Sequence, residues 1–310
     1  MLSLLSVAIS NENKIIDPMK RGLTVSNMDV IFDLKSLREK IYFWKKDGLS
    51  ISFVPTMGNL HAGHLSLISG ASEKADKTVV SIFVNPIQFG HGEDYEKYPS
   101  TLDHDLSKLA DESVDMVFAP NLNELYPGGI ESDTRVTIPA LSETLCGEFR
   151  PGHFSGVATV VMKLFNNVQP DFAFFGEKDF QQILVIRRMV EDLLLPTEVV
   201  SMPIIREIDG LAMSSRNSYL SKFERACSVE IYSVLVQAAE ALKGGFISID
   251  EIENQSVSSL VQKGFEVEYC SVRHSTDLAI PAAGNKNLVI LAAAWLGHTR
   301  LIDNIRVDLP

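Results

Sequence analysis

The chain has 310 residues, 45% of them hydrophobic, and a mean hydropathy of +0.09, enough to bury a large core in one sizeable domain plus a smaller one. Lys and Arg number 28 against 40 Asp and Glu, so the net charge of -12 argues against nucleic acid or an anionic membrane as main partner and makes any phosphate site local. The 3 cysteines, Cys146, Cys227 and Cys270, lack metal-ligand spacing and fit a reduced cytoplasmic protein better than a disulfide framework or a zinc site.

No apolar run is long enough to span a bilayer, and Met1 to Ser10, though apolar, lacks the basic flank of a signal peptide. A cleaner start follows at Met28, so residues 1–27 read as a loosely attached, poorly ordered extension. Ile31, Leu34, Leu37, Ile41 and Trp44 recur at helical spacing over Asp33 to Trp44. Ile51, Phe53 and Val54 read as a short buried strand, and Leu65, Leu67, Ile68 and Ala71 as the apolar side of a helix. Between them lies Pro55-Thr56-Met57-Gly58-Asn59-Leu60-His61-Ala62-Gly63-His64. A strand turning sharply into a helix aims free N–H groups at whatever sits above the sheet, an arrangement that favours anions and phosphate especially. Gly58 and Gly63 permit close approach, and His61 and His64 fall on one face of the first turn. By themselves the two histidines read equally as phosphate-facing groups, as capping or packing residues, or as half a metal site.

Beyond this turn strands and helices alternate. Thr78 to Val84 is a β-branched run ending in Asn85-Pro86-Ile87-Gln88-Phe89; Leu102 to Ala110 reads as a helix and Val114 to Phe118 as the next strand. This alternation predicts βαβ units in a parallel sheet, with ligands beyond the carboxyl ends of the strands. Pro127 to Gly156 reads as a long functional loop in which Arg150 is either a carboxylate or phosphate clamp or a solvated arginine. Val157 to Phe165 is helical and Asp171 to Phe175 a strand, ending in Gly176-Glu177-Lys178-Asp179. Lys178 suits a phosphate, Asp179 is placed to cap the helix carrying Ile183, Ile186, Met189 and Val190, and Gln182 is one turn into that helix. A strand over Glu198 to Ile205 leads to Met213-Ser214-Ser215-Arg216, two hydroxyls and an arginine able to hold phosphate oxygens. A smaller α+β domain follows, with one long helix over Ser221 to Lys243, another over Ile252 to Lys263, and strands at Glu266 to Ser271 and Leu288 to Trp295. The expected organisation is α/β: a Rossmann-like parallel sheet with helices on both faces over residues 28–203, and a C-terminal lid domain over 204–310 that hinges near Met202 to Arg206.

The runs PTMGNLHAGH, SIFVNPIQF, RPGHF, FGEKDFQQ and GLAMSSRNSYL, in this order and spacing, resemble the pantothenate synthetase (pantoate beta-alanine ligase) family, within the nucleotidyltransferases whose HxGH motif is shared with class I aminoacyl-tRNA synthetases. The resemblance implies a two-step reaction: ATP and pantoate give pantoyl adenylate and pyrophosphate, and the amine of beta-alanine then displaces AMP. It implies His64 as proton donor, with His61, Lys178, Ser214, Ser215 and Arg216 also on the phosphates. Met57 to His64, Gly176 to Asp179, Ile205 and Met213 to Arg216 match ATP-binding segments. Gln88 and Gln182 match pantoate-binding glutamines, with Gln88 also near beta-alanine, and Asn85 and Arg150 match positions lining that site. Mg²⁺ is implied as cofactor. Asp105 is its expected ligand, although His104 stands where an acidic residue often occurs. A cytoplasmic homodimer is also implied, with no nucleic-acid or membrane partner.

Overall fold

The computed structural model describes residues 23–25, 28–90, 92–245 and 247–310. The expectation for residues 1–27 therefore lies outside the described residues, except at Leu23–Val25, which forms strand β1 and pairs antiparallel with β2 (Met28–Ile31). These three residues join the sheet edge and so belong to the folded domain.

Helix α1 (Leu34–Lys46) is capped by Asp33, whose carboxylate accepts from the Ser36 amide, and buries Leu37, Ile41 and Trp44. The order then runs β3 (Ile51–Thr56), α2 (Ala62–Lys74), β4 (Lys77–Ile82), α3 (Leu102–Leu109), β5 (Met116–Phe118), α4 (Leu122–Leu125), α5 (Cys146–Phe149), α6 (His153–Val168), β6 (Phe172–Gly176), α7 (Phe180–Asp192) and β7 (Glu198–Met202). These strands make one sheet in the order β1-β2-β5-β4-β3-β6-β7, parallel from β2 to β7. Successive side chains on a strand point to opposite faces, and both faces are covered, which is why the strands read as unbroken apolar runs. Phe53, Val79 and Phe175 join α1, α6 and α7 in one core; Val54, Val80 and Phe174 join α2 and α3 in the other.

From β3 the chain winds through β4 to β5 on one side, then crosses over to β6 and β7 on the other. The order therefore reverses between β3 and β6, and a crevice opens there beyond the strand ends. The β3–α2 turn and the residues after Gly176 stand at that crevice.

The second unit departs from the sequence expectation. The single helix expected over Ser221 to Lys243 is two, α8 (Lys222–Cys227), capped by a reciprocal Ser221–Glu224 box, and α9 (Glu230–Gly244). Then come α10 (Ile249–Gln262), β8 (Glu266–His274), β9 (Asn287–Leu296) and β10 (Thr299–Asp308), an unforeseen strand. The three strands form an antiparallel sheet, β10-β9-β8. One face packs on α9 and α10 through Val272, Ile290 and Ala292; Val289 and Leu291 on the other pack against Phe180 and Leu184 of α7. The expected loop over Pro127 to Gly156 contains α5, and α6 begins earlier than expected, at His153.

Candidate active site

The turn after β3 uses left-handed backbone at Gly58 (φ 81°) and Asn59 (φ 50°). It is held from below by α3. The fully buried Asp105 carboxylate accepts from the amides of Asn59 (2.9 Å) and Leu60 (2.8 Å) and from the Thr101 hydroxyl (2.9 Å), while Lys108 Nζ donates to the Leu60 carbonyl. Both oxygens of Asp105, the expected metal ligand, serve the turn, and the carboxylate does not line the cleft. Among the described residues, moreover, no group of three or more His, Cys, Asp or Glu is placed to hold a metal ion.

The turn delivers His61 to the N-cap of α2 and His64 to its first turn. The Gly63 amide donates to His61 Nδ1 (3.1 Å) and the His61 amide to His64 Nδ1 (3.3 Å). A backbone amide can only donate, so both Nδ1 atoms are bare and each neutral ring carries its proton on Nε2. The ring centroids are 4.1 Å apart, and a Cβ on Gly63 would come within 2.9 Å of His61 Cε1. Only glycine lets the His61 ring fold back in this way. Burial, with Lys178 and Lys108 nearby, lowers the His61 pKa to about 4. Burial, His61 and the same lysines lower that of His64 to about 3. The capping reading and the phosphate reading are therefore compatible: Nδ1 caps the helix, and a neutral Nε2–H remains to donate.

Opposite stands the turn Glu177–Asp179 at the end of β6. Lys178 Nζ lies 3.9 Å from Asp179 Oδ2. Asp179 occupies the N-cap position of α7, but its side chain makes no capping hydrogen bond. From β10, Asn304 Nδ2 donates to the carbonyls of Glu177 (2.8 Å) and Lys178 (3.0 Å), so the second unit fixes the lysine's backbone. The Met213–Arg216 loop closes on the histidine turn through Ser215 Oγ, which donates to the Asn59 carbonyl (3.0 Å). Arg216 pairs in a two-pronged contact with Asp94 (both 2.9 Å) and lies over the Tyr98 ring.

At the end of β4, Asn85 Nδ2 donates to the Gly156 carbonyl (3.2 Å) and to Gln88 Oε1 (3.0 Å), and Asn85 Oδ1 accepts from the Tyr126 hydroxyl (2.9 Å). The Gly156 carbonyl needs a donor, which orients the Asn85 amide and in turn makes Gln88 present its NH₂ group away from Asn85. Arg150 is engaged by Glu93 in a two-pronged pair (2.6 and 2.5 Å). Glu93 and Asp94, adjacent in one segment, thus occupy the two arginines expected to bind anions, and neither acid was singled out from the sequence.

A cleft of about 1370 Å³ brings together Met57, His61, Gly63 and His64, the glutamines Gln88 and Gln182, Arg150, and, on the far side, Gly176, Lys178, Asp179, Ile205 and Met213 to Arg216. That volume exceeds the roughly 300–1,000 Å³ of an ordinary single-ligand pocket. Gly58, Asn59, Leu60, Ala62 and Glu177 do not line it. Asn85 is 1% exposed and stands behind Gln88 rather than in the cleft.

Residues 29–306 match the family model described as Pantoate-beta-alanine ligase. The chain belongs to this family. It is 48% identical to the pantothenate synthetase of Alteromonas mediterranea over 280 residues, which is 90% of this chain and 99% of that protein. Against the pantothenate synthetase of Shewanella oneidensis the identity is 49% over 275 residues, 89% of this chain and 98% of the other. The crystal structure of pantothenate synthetase from Thermus thermophilus superposes with a TM-score of 0.83 at 41% identity, covering 91% of this chain and 99% of that one. The pantoate-beta-alanine ligase of Francisella tularensis, complexed with beta-gamma ATP and beta-alanine, gives a TM-score of 0.74 at 35% identity over 89% of this chain and 96% of that one. Fold and sequence thus place all five motif runs within one ligase-family architecture.

Proposed function

We infer that the chain condenses pantoate with beta-alanine in an ATP-dependent reaction through a pantoyl adenylate, releasing pyrophosphate and AMP. The observation that carries this reading is the joining, in one cleft, of neutral donors at His61 and His64 and the Lys178 cation with Gln88, whose amide Nε2 points to Met57 Sδ beside the histidine turn. Family membership and the ATP and beta-alanine complex of the Francisella relative support it.

In the first step a pantoate carboxylate oxygen attacks the α-phosphorus and pyrophosphate leaves, so negative charge builds on the departing oxygens. The chain has little covalent chemistry to perform; it positions the reactants and offsets charge. His64 and His61 donate Nε2–H from the start of α2, where the helix amides add their own positive end. Lys178 supplies a mobile cation from the other wall. Ser214, Ser215 and Arg216 approach from the loop above; Arg216 reaches phosphate by exchanging Asp94 for it. Gln88 and Gln182 hold pantoate, with Arg150 beside them. In the second step the free amine of beta-alanine attacks the acyl carbon, the C–O bond to AMP breaks, and the ammonium so formed loses a proton.

Among the described residues no protein cage for Mg²⁺ is formed, and both oxygens of Asp105 serve the turn. The ion enters as part of the MgATP substrate, held by phosphate oxygens and water, as is usual for this small, strongly hydrated cation. A homodimer in the cytoplasm completes the proposal; it rests on family membership and on the three free cysteines. Among the described residues no helix is long and apolar enough to cross a membrane.

The deciding experiment measures pyrophosphate release from ATP with pantoate, then AMP release on adding beta-alanine. Pantoate-dependent pyrophosphate and beta-alanine-dependent AMP are expected. Failure of either sinks the reading, and stimulation by tRNA instead would favour a synthetase-like activity.

A further inference from the structure

His153, the first residue of α6, is half-buried at the cleft wall with both ring nitrogens engaged. Nδ1 lies 2.7 Å from the Gln88 carbonyl oxygen and Nε2 lies 3.0 Å from Arg150 Nη1. A carbonyl accepts only and a guanidinium donates only, so Nδ1 carries the proton and Nε2 receives one from Arg150. This is the opposite tautomer to that of His61 and His64, and its neighbours leave no alternative. Arg150 Nη2 makes a longer second contact with the same carbonyl (3.4 Å), and the Glu93 pair anchors the guanidinium.

The remainder of the Gln88 environment comes from the same helix. A Cβ on Gly156 would come within 2.7 Å of Gln88 Cα, so the start of α6 lies directly on the backbone of the Pro86–Gln88 turn. The Gly156 carbonyl, through Asn85, fixes the Gln88 side-chain amide. One edge of α6 therefore fixes both ends of Gln88, its carbonyl through His153 and its amide through Asn85.

We propose that His153 is a positioning residue for the pantoate and beta-alanine half of the cleft: by holding the Gln88 carbonyl through Nδ1–H and joining it to Arg150, it sets where the Gln88 amide meets the substrate. The inference rests on the reading of Gln88 as a substrate-binding residue. Burial and the adjacent Arg150 lower the His153 pKa to about 3, so the required tautomer persists throughout the physiological range.

The test uses initial rates of pyrophosphate release with pantoate and ATP varied separately, in the wild type and in His153→Ala, His153→Asn and His153→Gln. An asparagine amide reaches the place of Nδ1–H; a glutamine amide reaches toward Nε2. Losing one hydrogen bond to a positioned group is worth about tenfold, so the alanine variant should raise the pantoate KM by about that factor while the ATP KM stays within about twofold. His153→Asn should recover most of the loss and His153→Gln little of it. A parallel rise in the ATP KM, an unchanged pantoate KM, or better rescue by Gln than by Asn overturns the proposal. If the alanine variant does not fold, the order of Asn and Gln decides by itself. A wild type without pantoate-dependent release removes the parent reading; an active wild type with unaffected variants removes only this inference.

Discussion

His64 serves the helix and the cleft with different atoms of one ring. Its Nδ1 accepts from the His61 amide, leaving Nε2–H to donate. Replacing it with alanine is expected to slow pantoate-dependent pyrophosphate release more than tenfold, equivalent to at least about 1.4 kcal/mol in the barrier, and an unchanged rate would take His64 out of the chemistry. The half-buried imidazoles of His64 and His153 also set a pH dependence of stability. His64 and His153 each have a pKa of about 3 in the folded chain against an ordinary 6.5. Below pH 6.5 the unfolded chain binds protons that the folded one refuses, so stability is complete above that pH and falls as acid is added toward pH 3. The limiting slope is about 1.4 kcal/mol per pH unit for each imidazole. Thermal melts between pH 8 and pH 4 should show the decline, and His64→Gln should lessen its slope; an equal slope in that variant would place the effect elsewhere.

Among the elements, the β3–α2 turn depends on α3, which comes from the next βα unit. Asp105 ties down two amides of a turn whose backbone is left-handed at Gly58 and Asn59. Asp105→Asn would put an NH₂ donor against a backbone N–H, an unmet contact that costs about 1–3 kcal/mol. The expected result is a lower melting temperature and a reduced kcat with the Mg²⁺ concentration for half-maximal rate unchanged. A large shift in that concentration would restore Asp105 as a metal ligand. The turn was legible from the sequence because glycine, proline and histidine punctuate it. The role of α3 was not, because nothing local to Leu102 to Leu109 says which turn its carboxylate will meet.

At the scale of the whole molecule, the second unit contributes more than a cover. Its sheet buries Val289 and Leu291 against α7, and Asn304 reaches from β10 to the carbonyls beside the cleft lysine. Asn304→Ala should therefore raise the ATP KM by about five- to tenfold, the worth of about one good hydrogen bond, with the pantoate KM nearly unchanged. Steady-state kinetics with each substrate varied would show it, and an unchanged ATP KM would leave Asn304 a purely architectural contact. The lid expectation rested on the helix and strand pattern beyond Leu220 and on the lack of a catalytic constellation there; the apolar seam with α7 shows a unit docked along one sheet face and touching the site at β10.

The sequence by itself determined the alternation that makes a parallel sheet, the strand ends that carry chemistry, and the glycines and histidines of the β3–α2 turn. Burial on two faces and sharp turns are imprinted locally, as apolar runs and as punctuation. Only the tertiary structure decided that Arg150 meets Glu93 and Arg216 meets Asp94, 57 and 122 residues away in the chain. It also decided which nitrogen of each histidine holds the proton, that Asn85 stands behind Gln88, and that the Asp105 carboxylate holds the turn after β3. Charges and hydrogen bonds choose partners by distance in space, and the crossover that brings β3 beside β6 sets those distances.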